Sequence, residues 1–270
     1  MSLDLAAYFR RIGHDGPAAP TLETLQQLAL RHPGRIPFEN LDPLLGRPVA
    51  LDLDSLQRKL VQGGRGGFCY EHNLLFQAVL EAIGFRVTGL AARVWWGRAA
   101  EAPAPPRTHM LLRVDLDDGP RLVDVGFGGL TLTGVLRLEP GVVQATPHEP
   151  FRLLVQGDGY VLQALVAGAW QTLYEFDLQP QQRADYEMAC WYLCHHPDSR
   201  FVRQLLAARV DGTVRYGLLD RAFSVHRPGQ PSERRTLDGA DALFEVLETR
   251  FGVALDGGMR DALRRRGVPH

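Results

Sequence analysis

Three residues that could act together on a carbonyl occur along the 270-residue chain, in the order Cys69, His109, Asp124. Cys69 follows GGRGGF and opens CYEHNLLFQAVLEAIGF, where Leu75, Ala78, Val79 and Ala82 share one helical face. The spacing predicts a helix that begins at or near the thiol and stops at Gly84. A helix N-terminus offers free N–H donors and partial positive charge, both of which favour an anion. The thiolate is the nucleophilic form of cysteine. The same N–H groups can hold the oxyanion formed when a carbonyl is attacked. Four glycines in the five residues 63–67 suit a tight loop where backbone passes close to something else. From position alone, a buried structural cysteine accounts for Cys69 equally well.

A reactive cysteine needs a base, and the base needs a group to orient it. His72 shares a helix face with Cys69, but a helix-borne imidazole that close is poorly placed to shuttle protons. His109 opens THMLLRV, where Met110, Leu112 and Val114 alternate as one apolar face and His109 points to the other. Asp124 lies among Leu122, Val123, Val125 and Phe127. A carboxylate there is expected to be buried and to need a partner, either His109 or an arginine such as Arg113 or Arg121. DDG at 117–119 reads as a hairpin turn. A two-residue turn at Asp118-Gly119 puts His109 and Asp124 on one face but leaves them apart, so contact needs a register shift or a bulge.

The elements that must position these groups change texture along the chain. Up to residue 84 the pattern is helical. LDLAAYFRRI has Leu5, Tyr8, Phe9 and Ile12 on one face, and Thr21 is a candidate cap for a helix that Pro33-Gly34 should end. IPFENLDPLLGRPVALD reads as loop, and Asp54 or Ser55 can cap SLQRKLVQGG. From Phe85 short strands rich in valine, leucine and aromatics follow one another, which suggests a small barrel or sandwich. Helix returns near ADYEMACWYLCHH, and the end is mixed.

Bulk properties exclude several classes. With 45% hydrophobic and 23% charged residues the composition is that of a globular protein, and a net charge of −1 gives no basic surplus for nucleic acid. No apolar run is long enough to span a bilayer. The N-terminus lacks an apolar signal region, and three cysteines suggest free thiols in a reducing, cytoplasmic setting. Cys190, Cys194, His195 and His196 form C-x3-C-H-H, but structural zinc wants a second ligand pair and none is evident, so no metal is expected. GGRGG lacks the order and the lysine of a phosphate-binding loop.

Cys69, His109 and Asp124 follow the Cys-His-Asp logic of papain-like nucleophilic catalysis. Together, RGGFCYEHN at 65–73, IPFENL at 36–41, THMLL at 108–112 and VDVGFG at 123–128 resemble the arylamine N-acetyltransferases, with HPDSRF at 196–201 in support. The resemblance covers nearly the whole chain and is loosest in the last third. It implies an α+β fold: a helical bundle over 1–84, a β-barrel over 85–186 and a mixed α/β lid over 187–270. It implies Cys69 as acetyl acceptor, His109 as base and Asp124 as orienter. Acetyl-coenzyme A would be the donor, and an arylamine, hydrazine or N-hydroxyarylamine the acceptor. A papain-like hydrolase or amidase would use the same triad with water instead. Thr108, Gly126, Phe127 and Gly128 are candidates for the coenzyme A cleft. Phe38, Phe68, Trp95, Trp96 and Phe127 are candidates for an aromatic pocket. Arg65 and Glu39 are candidates for an ion pair joining two of the motif loops. No nucleic acid or membrane partner is implied, and the chain is expected to be a monomer or homodimer.

Overall fold

The computed structural model describes residues 2–99 and 101–267. The chain opens with two helices. In α1 (Leu5–Ile12) the Asp4 side chain accepts from the Ala7 N–H and Tyr8 and Ile12 are buried. In α2 (Leu22–Arg35) Thr21 caps through the Thr24 N–H. α2 does not stop at Pro33-Gly34 but runs through them to Arg35. Pro33 falls in the last turn, where its buried ring adds packing and the missing N–H interrupts little of the helix. The stretch read as loop contains a two-residue strand, β1 (Phe38–Glu39), and a short helix, α3 (Leu41–Leu44). A further helix, α4 (Leu53–Leu56), capped by Asp52, continues as a π-helical turn over Gln57–Gln62 and ends at Gly63. Helix α5 (Cys69–Ile83) follows, closed by Gly84 at φ +105. All five residues from Cys69 to Asn73 are buried. The start of α5 therefore sits in the interior, whereas Ala82 at its far end is exposed.

Eight antiparallel strands form the second layer: β2 (Arg86–Val94), β3 (Arg107–Leu116), β4 (Gly119–Val123), β5 (Leu136–Arg137), β6 (Val143–Gln144), β7 (Phe151–Gln156), β8 (Gly159–Val166) and β9 (Ala169–Phe176). Their order is β5-β4-β3-β2-β9-β8-β7-β6. The two ends meet through one side chain. The Gln144 amide accepts from the Arg137 N–H at 2.8 Å and donates to the Arg137 carbonyl at 2.9 Å. This bridge nearly closes the sheet into a barrel and covers edges that would otherwise template pairing. Leu90, Leu111, Leu122 and Phe151 fill the interior. The alternate residues Met110, Leu112, Val114 and Val123 pack outward on α5.

Helix α6 (Arg183–His195) lies across the expected boundary at 186/187, and its Tyr186, Cys190 and Cys194 join the helical core. After α7 (Arg200–Arg203) come β10 (Leu206–Asp211), β11 (Val214–Leu219), β12 (Ala222–His226) and β13 (Glu233–Thr236), then α8 (Gly239–Val246) and α9 (Gly257–Arg266). This second sheet has the order β1-β10-β11-β12-β13, with Phe38 paired to Ala208. A strand from the helical region thus ties the last third of the chain to the loop that precedes Cys69. Among the described residues no helix is long and apolar enough to cross a membrane.

Two buried polar networks hold that loop. Arg65 meets Glu39 at 2.7 Å and Asp42 at 3.3 Å, and Lys59 meets Asp42 and Glu71 at 2.6 Å each. Glu39 is fully buried. Removing one partner of such a pair leaves a charge uncompensated, at a cost of about 3–5 kcal/mol. Arg65→Met is expected to destabilise the fold by about 3 kcal/mol. Arg65→Met/Glu39→Gln should lose at least about 1 kcal/mol less than the sum of the singles. Urea melts of all four proteins measure this, and strict additivity would show that the pair carries no coupling.

The second network is a hydrogen-bonded chain. The Tyr8 hydroxyl meets His32 Nδ1 and His32 Nε2 meets His72 Nδ1, each at 2.8 Å. His72 Nε2 faces the carbonyls of Gly67 at 3.0 Å and Pro37 at 3.1 Å. Carbonyls only accept, so His72 Nε2 carries its proton, and both rings are neutral donors in one direction. Burial holds the His32 pKa well below the usual value. It also pulls His72 down to about 4, although the two carbonyls oppose it. The unfolded chain then binds more protons than the folded one between about 4 and 6.5. Stability from His72 is full above that window and falls by about 3 kcal/mol as pH drops through it. Urea midpoints measured from pH 7 to 4 should fall in the wild type and fall less in His72→Gln. Equal slopes would rule out this origin.

Candidate active site

The GGRGGF loop owes its glycines to crowding. A Cβ on Gly66 would lie 1.9 Å from the Pro37 carbonyl oxygen, and one on Gly67 would lie 2.5 Å from the Glu71 carboxylate. Glu71 in turn accepts from the Phe68 N–H at 3.1 Å, so an acid in the first turn ties down the chain just before Cys69. The nucleophile candidate is thus the first residue of a helix whose entry is fixed by side chains on both sides.

His109 lies at the end of the barrel interior. Ala92 pairs with His109 but Arg93 pairs with Arg107, so Thr108 is the extra residue of a bulge between β2 and β3. The freed Thr108 carbonyl faces the Cys69 sulfur at 3.6 Å. Contact between His109 and Asp124 needs no bulge in its own hairpin. The turn is Asp117-Asp118, one residue earlier than expected, with Leu116 opposite Gly119, which takes φ +116. Continuing this ladder past Leu112–Val123 sets Asp124 opposite Leu111, two residues from His109 on the same face. That diagonal is within reach of an imidazole. His109 Nε2 and Asp124 Oδ2 are 2.6 Å apart. Arg113 and Arg121, the alternative partners, are engaged by Asp115 and Asp118.

The remaining oxygen of Asp124 accepts from the Gly126 N–H at 3.0 Å and from the Asn73 amide at 3.1 Å. Burial works to raise the Asp124 pKa, but His109 and these donors hold it below the usual carboxylate value. Burial alone would depress His109. The charge and hydrogen bond of Asp124, then the hydrogen bond and charge of Cys69, override it and raise His109 to about 10. With Nε2 on the carboxylate, Nδ1 is the nitrogen left for the sulfur. The raised pKa favours the imidazolium form, held between the Asp124 carboxylate and the Cys69 sulfur, a constellation suited to covalent acyl transfer.

Two residues of this site carried no assigned role in the sequence. Asn73 ends the RGGFCYEHN motif one helical turn after Cys69, and a buried amide there was the available signal. It donates to Asp124 and to the Met110 carbonyl, joining helix and barrel. Tyr174, wholly buried, packs 5.0 Å from the His109 ring and 5.3 Å from Phe127. Burial and the nearby Asp124 charge push its pKa well up. Nothing local to β9 marks it in the sequence.

Cys69 and His109 open on a cavity of about 700 Å³. Thr108, Gly126, Phe127 and Gly128, the candidates for the coenzyme cleft, all line it, as do Phe38 and Trp96. Phe68 and Trp95 are not among its lining residues. Phe68 is fully buried against Tyr70 and Phe201, and Trp95 directs its backbone N–H to Leu173 across the sheet. The far wall comes from the last third of the chain, including Phe201, Leu206, Ala208, Gly217 and Phe223. His72 lies in the buried chain described above and faces away from the thiol's partners. Cys190 and Cys194 are buried with their sulfurs 3.9 Å apart, while His195 stacks on Trp191 and His196 on Tyr192. Among the described residues no group of three or more His, Cys, Asp or Glu could hold a metal ion.

Known proteins are similar to this chain along nearly its whole length. A family model described as N-acetyltransferase matches residues 21–260. The chain is 50% identical to an arylamine N-acetyltransferase of Mycobacterium tuberculosis over 270 residues, covering 98% of this chain and 95% of that one. The chain belongs to the arylamine N-acetyltransferase family. The M. tuberculosis enzyme's solved structure superposes with a TM-score of 0.93 at 48% identity, over 97% of this chain and 100% of that one. That of the Mycobacterium marinum arylamine N-acetyltransferase in complex with CoA gives 0.92 at 44% identity, over 97% and 99%. The chain is accordingly an acyltransferase with the α+β architecture of that family, barrel and helices included.

Proposed function

We propose that the protein carries acetyl from acetyl-coenzyme A to arylamines, hydrazines or N-hydroxyarylamines through a thioester on Cys69. The observation that carries this is the Cys69–His109–Asp124 contact opening on one cavity lined by residues from all three parts of the chain. Membership in the family and a relative's structure with CoA support the donor. The Cys69 thiolate attacks the acetyl carbonyl, the bond from that carbon to the coenzyme sulfur breaks, and His109 gives its proton to the departing thiolate. The acceptor nitrogen then attacks the acetyl-Cys69 carbonyl. Its proton goes to His109, and the Cys69 thiolate leaves. Atoms balance as acetyl-coenzyme A plus amine giving amide plus free coenzyme A. Asp124 holds the imidazolium in place through both halves, and the start of α5 faces the developing oxyanion.

Intact mass after mixing with acetyl-coenzyme A alone should show one added acetyl group, mapped by proteolysis to the peptide holding Cys69. An added arylamine should discharge it. A chain that gains no acetyl group would overturn the thioester route. An adduct lost at the same rate with and without amine would make the protein a hydrolase.

A further inference from the structure

We infer that Arg98, Arg200 and Arg234 form a cationic rim on the cavity that binds the phosphates of the coenzyme A donor. This rests on the acetyl-coenzyme A reading above. The cavity wall contains three arginines and one acid, Asp198. Asp198 is already paired with Arg203, so the wall keeps a positive surplus. The arginines come from separate segments: the loop after β2, helix α7 and the edge strand β13. All three are exposed, in contrast to Cys69 and His109 deep in the same cavity. Their other commitments are light. Arg98 gives one hydrogen bond to the Pro103 carbonyl, and Arg200 gives its Nε–H to Gln204. Arg234 has no side-chain hydrogen bond or ion pair among the described residues. Other arginines nearby are spent: Arg215 on Glu149 and Arg235 over the Phe223 ring.

Much of the remaining lining is of another kind, with Phe38, Phe127, Leu206 and Ala208 among its apolar residues. A donor with an uncharged arm and a phosphate-bearing end matches that division. The arm reaches Cys69 through the apolar part, and the guanidinium groups at the rim donate to phosphate oxygens in their fork geometry. Arylamine acceptors carry no phosphate, so the rim would separate donor from acceptor in a cavity both must use in turn.

The test compares two donors with one arylamine: acetyl-coenzyme A and S-acetyl-pantetheine, which has the same thioester and no phosphate. The wild type should favour acetyl-coenzyme A in kcat/KM, and rising salt should erode that preference. Each of Arg98→Gln, Arg200→Gln and Arg234→Gln should cut the preference about 3- to 10-fold, and the triple variant about 100-fold. A triple variant that keeps the full preference overturns the proposal. So does one that loses rate equally with both donors, because the arginines would then shape the cavity rather than read phosphate. A wild type that takes acetyl from neither donor overturns the acetyl-transfer reading itself.

Discussion

Asp124→Asn is expected to slow acetylation of Cys69 by about 10³- to 10⁴-fold while the protein stays folded. Asparagine has nearly the same shape, so packing around the fully buried position is kept. Its oxygen would go on accepting from the Gly126 N–H and the Asn73 amide, because both of those groups only donate. That leaves the asparagine NH₂ facing His109 Nε2. Two donors cannot share the contact, so Nε2 must give up its proton and accept. The one remaining ring proton then sits on Nδ1, against the sulfur, and the ring can no longer take a proton from the thiol. The carboxylate charge that overrides burial is lost as well, so the His109 pKa falls from about 10 toward or below its ordinary value.

The same substitution has a stability signature whose sign is fixed. A raised imidazole pKa adds stability that is full below about 6.5 and is lost as pH climbs through about 10. A lowered carboxylate pKa adds stability above the ordinary Asp value that is lost in acid. The melting gap between wild type and variant should therefore be widest between those limits and narrow at both ends. Single-turnover acetylation, followed by quenched mass measurement, reads the kinetic claim. A loss below tenfold would show that Asp124 does not orient His109.

How far the sequence led can be judged at individual residues. The three residues that meet in the candidate site are legible because each breaks a local pattern: a thiol at a helix start, a histidine heading an apolar strand, a carboxylate inside an apolar run. The turn between His109 and Asp124 lies one residue earlier than the DDG signal suggests. Such a shift moves the register by two, and a turn at Asp118-Gly119 would set the two residues four positions apart. DDG does not say which residue takes the positive φ, and only the folded hairpin assigns it to Gly119. Phe68 and Trp95 illustrate a different limit. Periodicity shows that an aromatic is near a motif, not which side of the backbone meets the cavity. The wall from Leu206 to Ser224 was hidden for a third reason. It reaches the site through the pairing of Phe38 with Ala208, which lie far apart in sequence and carry no local mark of each other.

Gly126→Ala should cost both stability and rate, and the geometry says why the two cannot be separated. A Cβ at this position would lie 2.8 Å from the Cys69 Cα, 2.8 Å from the Asn73 amide nitrogen and 3.1 Å from the Cys69 carbonyl oxygen. Two of these three atoms are backbone of the first turn of α5, whose residues are all buried. The peptide after Asp124 therefore crosses directly over Cys69, and only a residue without a side chain fits the crossing. One methyl group must push the strand exit away from the helix start. That movement separates the sulfur from His109 and weakens the Gly126 and Asn73 contacts to Asp124 together. Overpacking of this kind costs about 1–3 kcal/mol. A displacement of about 1 Å between reacting groups costs about 100-fold in rate. Gly257→Ala, where nothing lies within 4 Å of the added atom, is the control and should melt like the wild type. If Gly126→Ala also melts and turns over like the wild type, the helix start and the loop after Asp124 are not in rigid contact. The His109–Asp124 contact alone would then hold the candidate site together.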